Sequence, residues 1–186
     1  FKDRTIRLLE LLGANDPVAQ TDALIDWIDL DDTTEAAGAE NFFYRSLAAP
    51  YNCKNGPLDN LEELKLVKGF SRELVNRLQP HVTPYGMAKI NVNSASAEVL
   101  QVLSAEMDQD AAEKIVAARK LQPFTAVTQL KELPGLETLY GFIYLYLDVK
   151  SSHYQVESTA FVNSGRRTVR AIVAKDGNRV LYKRVL

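Results

Sequence analysis

The chain has 186 residues, enough for one large or two small domains. Hydrophobic residues at 46% and charged residues at 25% fit an ordinary globular protein, and the net charge of −2 argues against a nucleic acid as the main partner, because phosphate binding usually shows as a basic surface. Cys53 is the only cysteine, which excludes an intrachain disulfide; no apolar run has the length of a membrane span and no signal peptide is visible.

Residues 1–28 read as helical. Ile6, Leu8, Leu9, Leu11 and Leu12 give an apolar stripe that Gly13 is placed to end, and Asp16-Pro17 starts a second helix with Ala23, Leu24, Trp27 and Ile28 on its apolar face. Residues 29–58 are loop-rich, with Phe42-Phe43-Tyr44 followed by Pro50, Tyr51, Asn55-Gly56 and Pro57 as turn punctuation. An irregular segment of this length inside a compact domain is usually functional or tied down by something, and a bound metal is one way to tie it.

Residues 59–150 read as almost entirely helical. Asp59 or Asn60 caps a helix through Leu61, Leu64 and Val67; Gly69 stops it; Ser71 caps the next, which ends before Pro80. Ser94 or Ser96 caps a helix through Val99, Leu100 and Leu103, residues 109–120 form another, and Val127 to Leu133 form a short one ended by Pro134-Gly135. From about residue 151 the period switches to two, through Tyr154, Val156, Ser158, Ala160 and Val162, then Val169, Ala171 and Val173, then Val180 and Tyr182. Asn163-Ser164-Gly165 and the two-residue signal Asp176-Gly177 make this a three-strand antiparallel meander. A lone meander cannot hide its apolar face and needs a helix to pack on. The N-terminal helix is the natural candidate, which makes the helical middle an insertion.

The stretch Ile25-Asp26-Trp27-Ile28-Asp29-Leu30-Asp31-Asp32, closely followed by Gly38-Ala39-Glu40-Asn41, concentrates the acidity of the chain. Asp29, Asp31 and Glu40 stand at positions 1, 3 and 12 of a calcium loop, with Thr33 at 5 and Glu35 at 7; hard cations take such oxygen ligands. Thr34 stands where an EF-hand needs glycine, so this is not an EF-hand. The other reading is an acidic helix end facing solvent. Several carboxylates at the negative end of a helix dipole repel one another, and something positive should offset that.

The middle region, with Ile90-Asn91-Val92-Asn93-Ser94-Ala95, Pro123-Phe124-Thr125 and Leu130-Lys131-Glu132-Leu133-Pro134-Gly135, resembles helix-hairpin-helix domains. In DNA-binding members a glycine-rich hairpin cradles a phosphate. Here Leu103-Ser104-Ala105-Glu106 has no glycine, and Glu137 follows Gly135 where a second glycine is wanted, so the phosphate cradle is lost and nucleic acid is not expected as a partner. Asn91 and Asn93 suit caps or turns, and His81 and His153 lack ligand spacing. The basic run from Arg166 to Arg184 suits a solvated strand face, and the aromatics at 42–44 and 140–146 suit core packing. No nucleophile motif and no glycine-rich phosphate loop supports catalysis.

Taken in order, the leading helix, Asp-Trp-Ile-Asp with further Asp, Gly-Ala-Glu-Asn, a Pro-Tyr turn, Leu-Glu-Glu-Leu with Val-Lys-Gly, Ile-Asn-Val-Asn-Ser-Ala and a small meander closely resemble the K-type minor pseudopilins of the bacterial type II secretion pathway. The similarity covers most of residues 20–135. It implies an α+β fold: a pilin-like stem helix ending within residues 1–20, an inserted all-α domain of helix-hairpin-helix type over 21–150 with the acidic loop at 26–41, and an antiparallel β-meander over 151–186. It implies a non-enzymatic, periplasmic tip subunit of the pseudopilus, assembled with I-type and J-type minor pseudopilins and other pseudopilins of the secretion system. The membrane would be reached only through an N-terminal helix lying before Phe1. It also implies structural calcium, one ion or two, with ligands among Asp29, Asp31, Asp32, Glu35 and Glu40.

Overall fold

The computed structural model describes residues 1–86 and 89–185. Helix α1 (Lys2–Leu11) buries Leu8 and Leu9 and ends at Gly13, whose φ of +67° lets the chain reverse. Helix α2 (Pro17–Ile28) starts where Asp16 accepts a bond from the Ala19 amide at 3.1 Å, with Pro17 in the first turn. A single-turn helix α3 (Asn41–Arg45) follows the acidic loop and seals Tyr44 inside. The expected helix through Val67 is a 3-10 turn, Leu61–Leu66, started by Asn60 and closed before Gly69, whose φ is +84°. Helix α4 (Arg72–Leu78) is capped by Ser71, which accepts from the Leu74 amide at 3.1 Å.

These elements close one core around Leu8, Leu9, Trp27, Tyr44, Leu64, Val75 and Leu78. A second core lies beyond it, around Val92, Leu100, Met107, Ile115, Leu130, Ile143 and Leu147. It is built by α5 (Ala97–Gln101, capped by Ser96), α6 (Gln109–Leu121, capped by Asp108), a 3-10 turn over Val127–Glu132 and α7 (Tyr140–Ile143). The periodicity missed a parallel strand pair, β1 (Ile90–Asn91) with β2 (Leu147–Asp148), which joins the two ends of this core. Asn93 locks that junction: its amide donates to the carbonyls of Phe124 and Val149 and its oxygen accepts from the Phe124 amide at 2.8 Å. Asn91 accepts from the Asn93 amide, the turn role its residue type suggested.

The helical region therefore holds two cores, the first drawn from residues 8–82 together with Val102 and the second from residues 90–149, and Leu8 and Leu9 share the first with Ala23 and Trp27. Helix α1 packs on α2 and reaches α5, and Arg7 donates to the carbonyls of Ser104 and Met107 across both cores. Helix α1 thus lies against α2 and α5, where the sequence pattern suggests the meander as its partner. Its apolar stripe specified a buried face and not the partner that buries it.

The meander is β3 (His153–Val162), β4 (Gly165–Ala174) and β5 (Arg179–Val185), antiparallel in that order. Asn163 at φ +53° makes the first turn in two residues. The second is longer than its Asp-Gly signal: Lys175–Asn178 form the connection, with Gly177 and Asn178 both left-handed. One face carries Arg170, Ile172, Tyr182 and Arg184, and lies over residues 60–62 and 82–85, where the Tyr85 and Tyr182 rings stand 6.4 Å apart. By register the other face carries Tyr154, Val156, Ala160, Val162, Val173 and Val180, of which Tyr154, Val156, Val162 and Val180 are exposed.

Candidate metal-binding loop

The loop after α2 is folded by two carboxylates of that helix, one turn apart. Asp26 is fully buried; one oxygen accepts from the Glu35 amide at 3.0 Å and the other from the Ala39 amide at 2.6 Å. Asp22 accepts from the Ala37 amide at 3.1 Å and pairs with Lys2 Nζ at 2.6 Å. Lys68 Nζ donates to the carbonyls of Ala37 and Gly38 at 3.1 and 2.9 Å, so residues 35–39 are bound from both sides. Gly38 has to be glycine: a β-carbon there would stand 2.0 Å from Asp26 Oδ2. Burial pushes the Asp26 carboxyl up, while the Lys2 ammonium holds Asp22 below the usual carboxylate range.

With residues 35–39 tethered, unpaired oxygens remain at both ends of the loop. Glu40, the residue that starts α3, is 4% exposed, and neither carboxylate oxygen has a well-formed hydrogen bond, although the Cys53 thiol and the Asn41 amide lie near enough to favour its charged form. Asp29 Oδ1 and Asn55 Oδ1 are also buried without partners. Burial raises both Asp29 and Glu40, and each is pushed further by its neighbours: Asp29 by Asp31 and Asp26, Glu40 by Asp26 and Asp29. Buried polar atoms are ordinarily satisfied, and two destabilised carboxylates beside an unpaired amide oxygen leave only acceptors to be matched.

The remaining predicted residues sit around this set. Asp31 accepts from the Thr33 amide at 2.8 Å. Asp32 accepts from the side-chain amides of Asn41 and Asn55 at 3.0 and 3.1 Å, and Asn55 also donates to the Asp31 carbonyl at 2.8 Å. Glu35 is drawn off to Lys2 Nζ at 2.7 Å. The five carboxylates do not converge: among the described residues no three His, Cys, Asp or Glu side chains are grouped to hold one ion. At the ends of the loop the unpaired atoms are oxygens of two carboxylates, Asp29 and Glu40, and of the Asn55 amide. Such a set fits a hard cation such as calcium. Cys53 adds no soft ligand, because its thiol donates to the Asp26 carbonyl at 3.4 Å and burial pushes it up to about 11. In the sequence Asn55 reads as turn punctuation; its left-handed φ of +46° is the mark of that turn, and its side chain reaches the Asp31 carbonyl and Asp32.

Two cores of short capped helices, a small antiparallel sheet and an acidic loop closed over buried carboxylates define an α+β protein. The family description "Type II secretion system (T2SS), protein K" matches residues 2–87 and, in a second part, 90–150, a division that falls between the two cores. The chain belongs to that family. It is similar to the type II secretion system protein K of Aeromonas hydrophila, 29% identical over 96% of this chain and 57% of that protein. It is also similar to those of Klebsiella pneumoniae, 28% identical over 92% and 55%, and Pectobacterium carotovorum subsp. carotovorum, 32% identical over 67% and 40%. The chain thus spans about half the length of these relatives. Among solved structures it superposes on a chain of the GspK-GspI-GspJ complex of the enterotoxigenic Escherichia coli type 2 secretion system, with a TM-score of 0.80 at 22% identity, covering 100% of this chain and 69% of that one. That likeness is one of fold.

Proposed function

We propose that the chain is the periplasmic part of a minor pseudopilin that sits at the tip of the type II secretion pseudopilus and assembles with I-type and J-type partners. The family match over both helical cores carries the reading. The fold gives it a physical basis. The uncovered face of the meander, with Tyr154, Val156, Val162 and Val180, suits an amphipathic helix of the kind a pilin-like stem provides, anchored in the inner membrane by its upstream part. A two-core helical head beside such a stem blocks stacking of another subunit above it and suits the end of a filament. The role is structural and not enzymatic. A tagged I-type and J-type pair should retain this chain at about 10 μM, the range of a modest specific interface; failure to retain it removes the reading.

Calcium belongs to the same proposal. Asp29, Glu40 and Asn55 would hold it, with Asp31 and Asp32 adjacent, and Glu35 is left with Lys2. When bound, the ion supplies positive charge where buried carboxylates crowd. The nucleic-acid reading is disfavoured by the hairpins: the Gly135 amide donates to Glu137 at 3.0 Å and Ser104 donates to Glu106, so carboxylates stand where phosphates would.

A further inference from the structure

The acidic loop carries two of the most exposed large apolar side chains among the described residues. Phe42 is 91% exposed and Leu30 is 84% exposed. Neither is stray surface. Leu30 lies between Asp29 and Asp31, and Phe42 is on α3, whose start is Glu40 and whose inward residue, Tyr44, meets Trp27 edge-on at 5.1 Å. The side chain of Asn41 ties α3 back to Asp32. Asp29 and Glu40, with unpaired buried oxygens, therefore sit on the two segments that carry Leu30 and Phe42, so an ion held by both would fix where both side chains point.

The surroundings say what fits them. From Asp29 to Phe43 the chain has Asp29, Asp31, Asp32, Glu35 and Glu40 and no lysine or arginine. Lys2 and Lys68 come in from elsewhere, but they serve Asp22, Glu35 and the Ala37 and Gly38 carbonyls. No salt bridge reaches Asp31 or Asp32 among the described residues. A single divalent ion leaves this rim acidic. Resting on the minor-pseudopilin reading, we propose that Leu30 and Phe42 are a docking point, positioned by the bound cation, for an apolar socket with a lysine- or arginine-bearing rim on the I-type/J-type pair. An aromatic anchor surrounded by charge of one sign is the arrangement that concentrates binding energy and orients a partner of opposite charge.

The test measures affinity of the full chain for the purified I-type/J-type pair in calcium, alongside calcium-dependent melting. Phe42→Asp and Leu30→Asp change exposed side chains and should each weaken binding by about tenfold or more, the loss expected for an interface anchor, while keeping the wild-type rise in melting temperature with calcium. Glu40→Gln, with Phe42 intact, should weaken binding as well. Wild-type affinity in both aspartate variants overturns the docking point. Wild-type affinity in Glu40→Gln overturns the dependence on the cation. If the wild-type chain itself does not bind the pair, the minor-pseudopilin reading has failed, and that result is distinct from failure of the variants alone.

Discussion

Glu40→Gln isolates what the acidic loop is for. In the wild-type chain, Glu40 brings a buried charge and two unpaired oxygens next to Asp29, whose Oδ1 is also unpaired, so the calcium-free loop is held at a cost. Glutamine keeps the shape and removes the charge. Without calcium the variant should therefore melt at or slightly above the wild-type temperature. With free calcium about a hundredfold above its dissociation constant, binding to the folded state alone adds about 2.7 kcal/mol. For a domain of this length each kcal/mol moves Tm by about 2–4 °C, so the wild-type chain should gain about 5–10 °C and the variant only a small part of it. Calorimetry in calcium and in chelator, on both proteins, reads all four values. A wild-type chain indifferent to calcium, or a variant with the full gain, refutes the reasoning.

Other consequences follow from the same geometry. Gly38→Ala should destabilise by about 2 kcal/mol or more in urea unfolding, because the new β-carbon collides with a buried carboxylate that has no free direction to move. Asp26→Asn leaves one of the Glu35 and Ala39 amides without its acceptor and should cost about 1–3 kcal/mol in the same assay. Asp26, Asp29 and Glu40 are all raised in the folded state, so the folded chain binds their protons more readily than the unfolded chain. In chelator their share of stability is present at and below the ordinary carboxylate range and is lost as pH rises through the folded values; Asp22, lowered by Lys2, acts in the opposite sense further down. The calcium-free chain should thus melt higher at about pH 5 than at about pH 7.5, and calcium affinity, read by titration calorimetry, should be weaker at the lower pH. Val156→Lys on the uncovered sheet face should change stability in urea unfolding by less than about 0.5 kcal/mol, as surface substitutions do.

Local chemistry was legible wherever a residue speaks for its own neighbours. Asp16-Pro17, Ser71 and Ser96 mark helix starts, and each accepts the bond its position calls for. Alternation specified the meander and its first turn, and the family match agrees with the resemblance read from motif order. What stayed hidden depends on distant pairing. Leu8 and Leu9 announce a buried face, but α1 meets α2 and α5 rather than the sheet because Arg7 and Lys2 find their partners there. The strands at 90–91 and 147–148 are too short to carry a period and exist because they meet each other. In the loop, acidity was plain, but the division of labour was not: Asp22 and Asp26 hold backbone, Glu35 holds Lys2, and Asp29 and Glu40 are left with Asn55, which lies far along the chain from both.

The claim that this chain is an assembly subunit is tested most directly by the mass of what it forms with an I-type and a J-type minor pseudopilin. Light scattering across a size-exclusion peak should give one species with one copy of each chain, to which this chain contributes 20.8 kDa. Three separate peaks at their individual masses, at concentrations of tens of micromolar where a modest specific interface is populated, would contradict it.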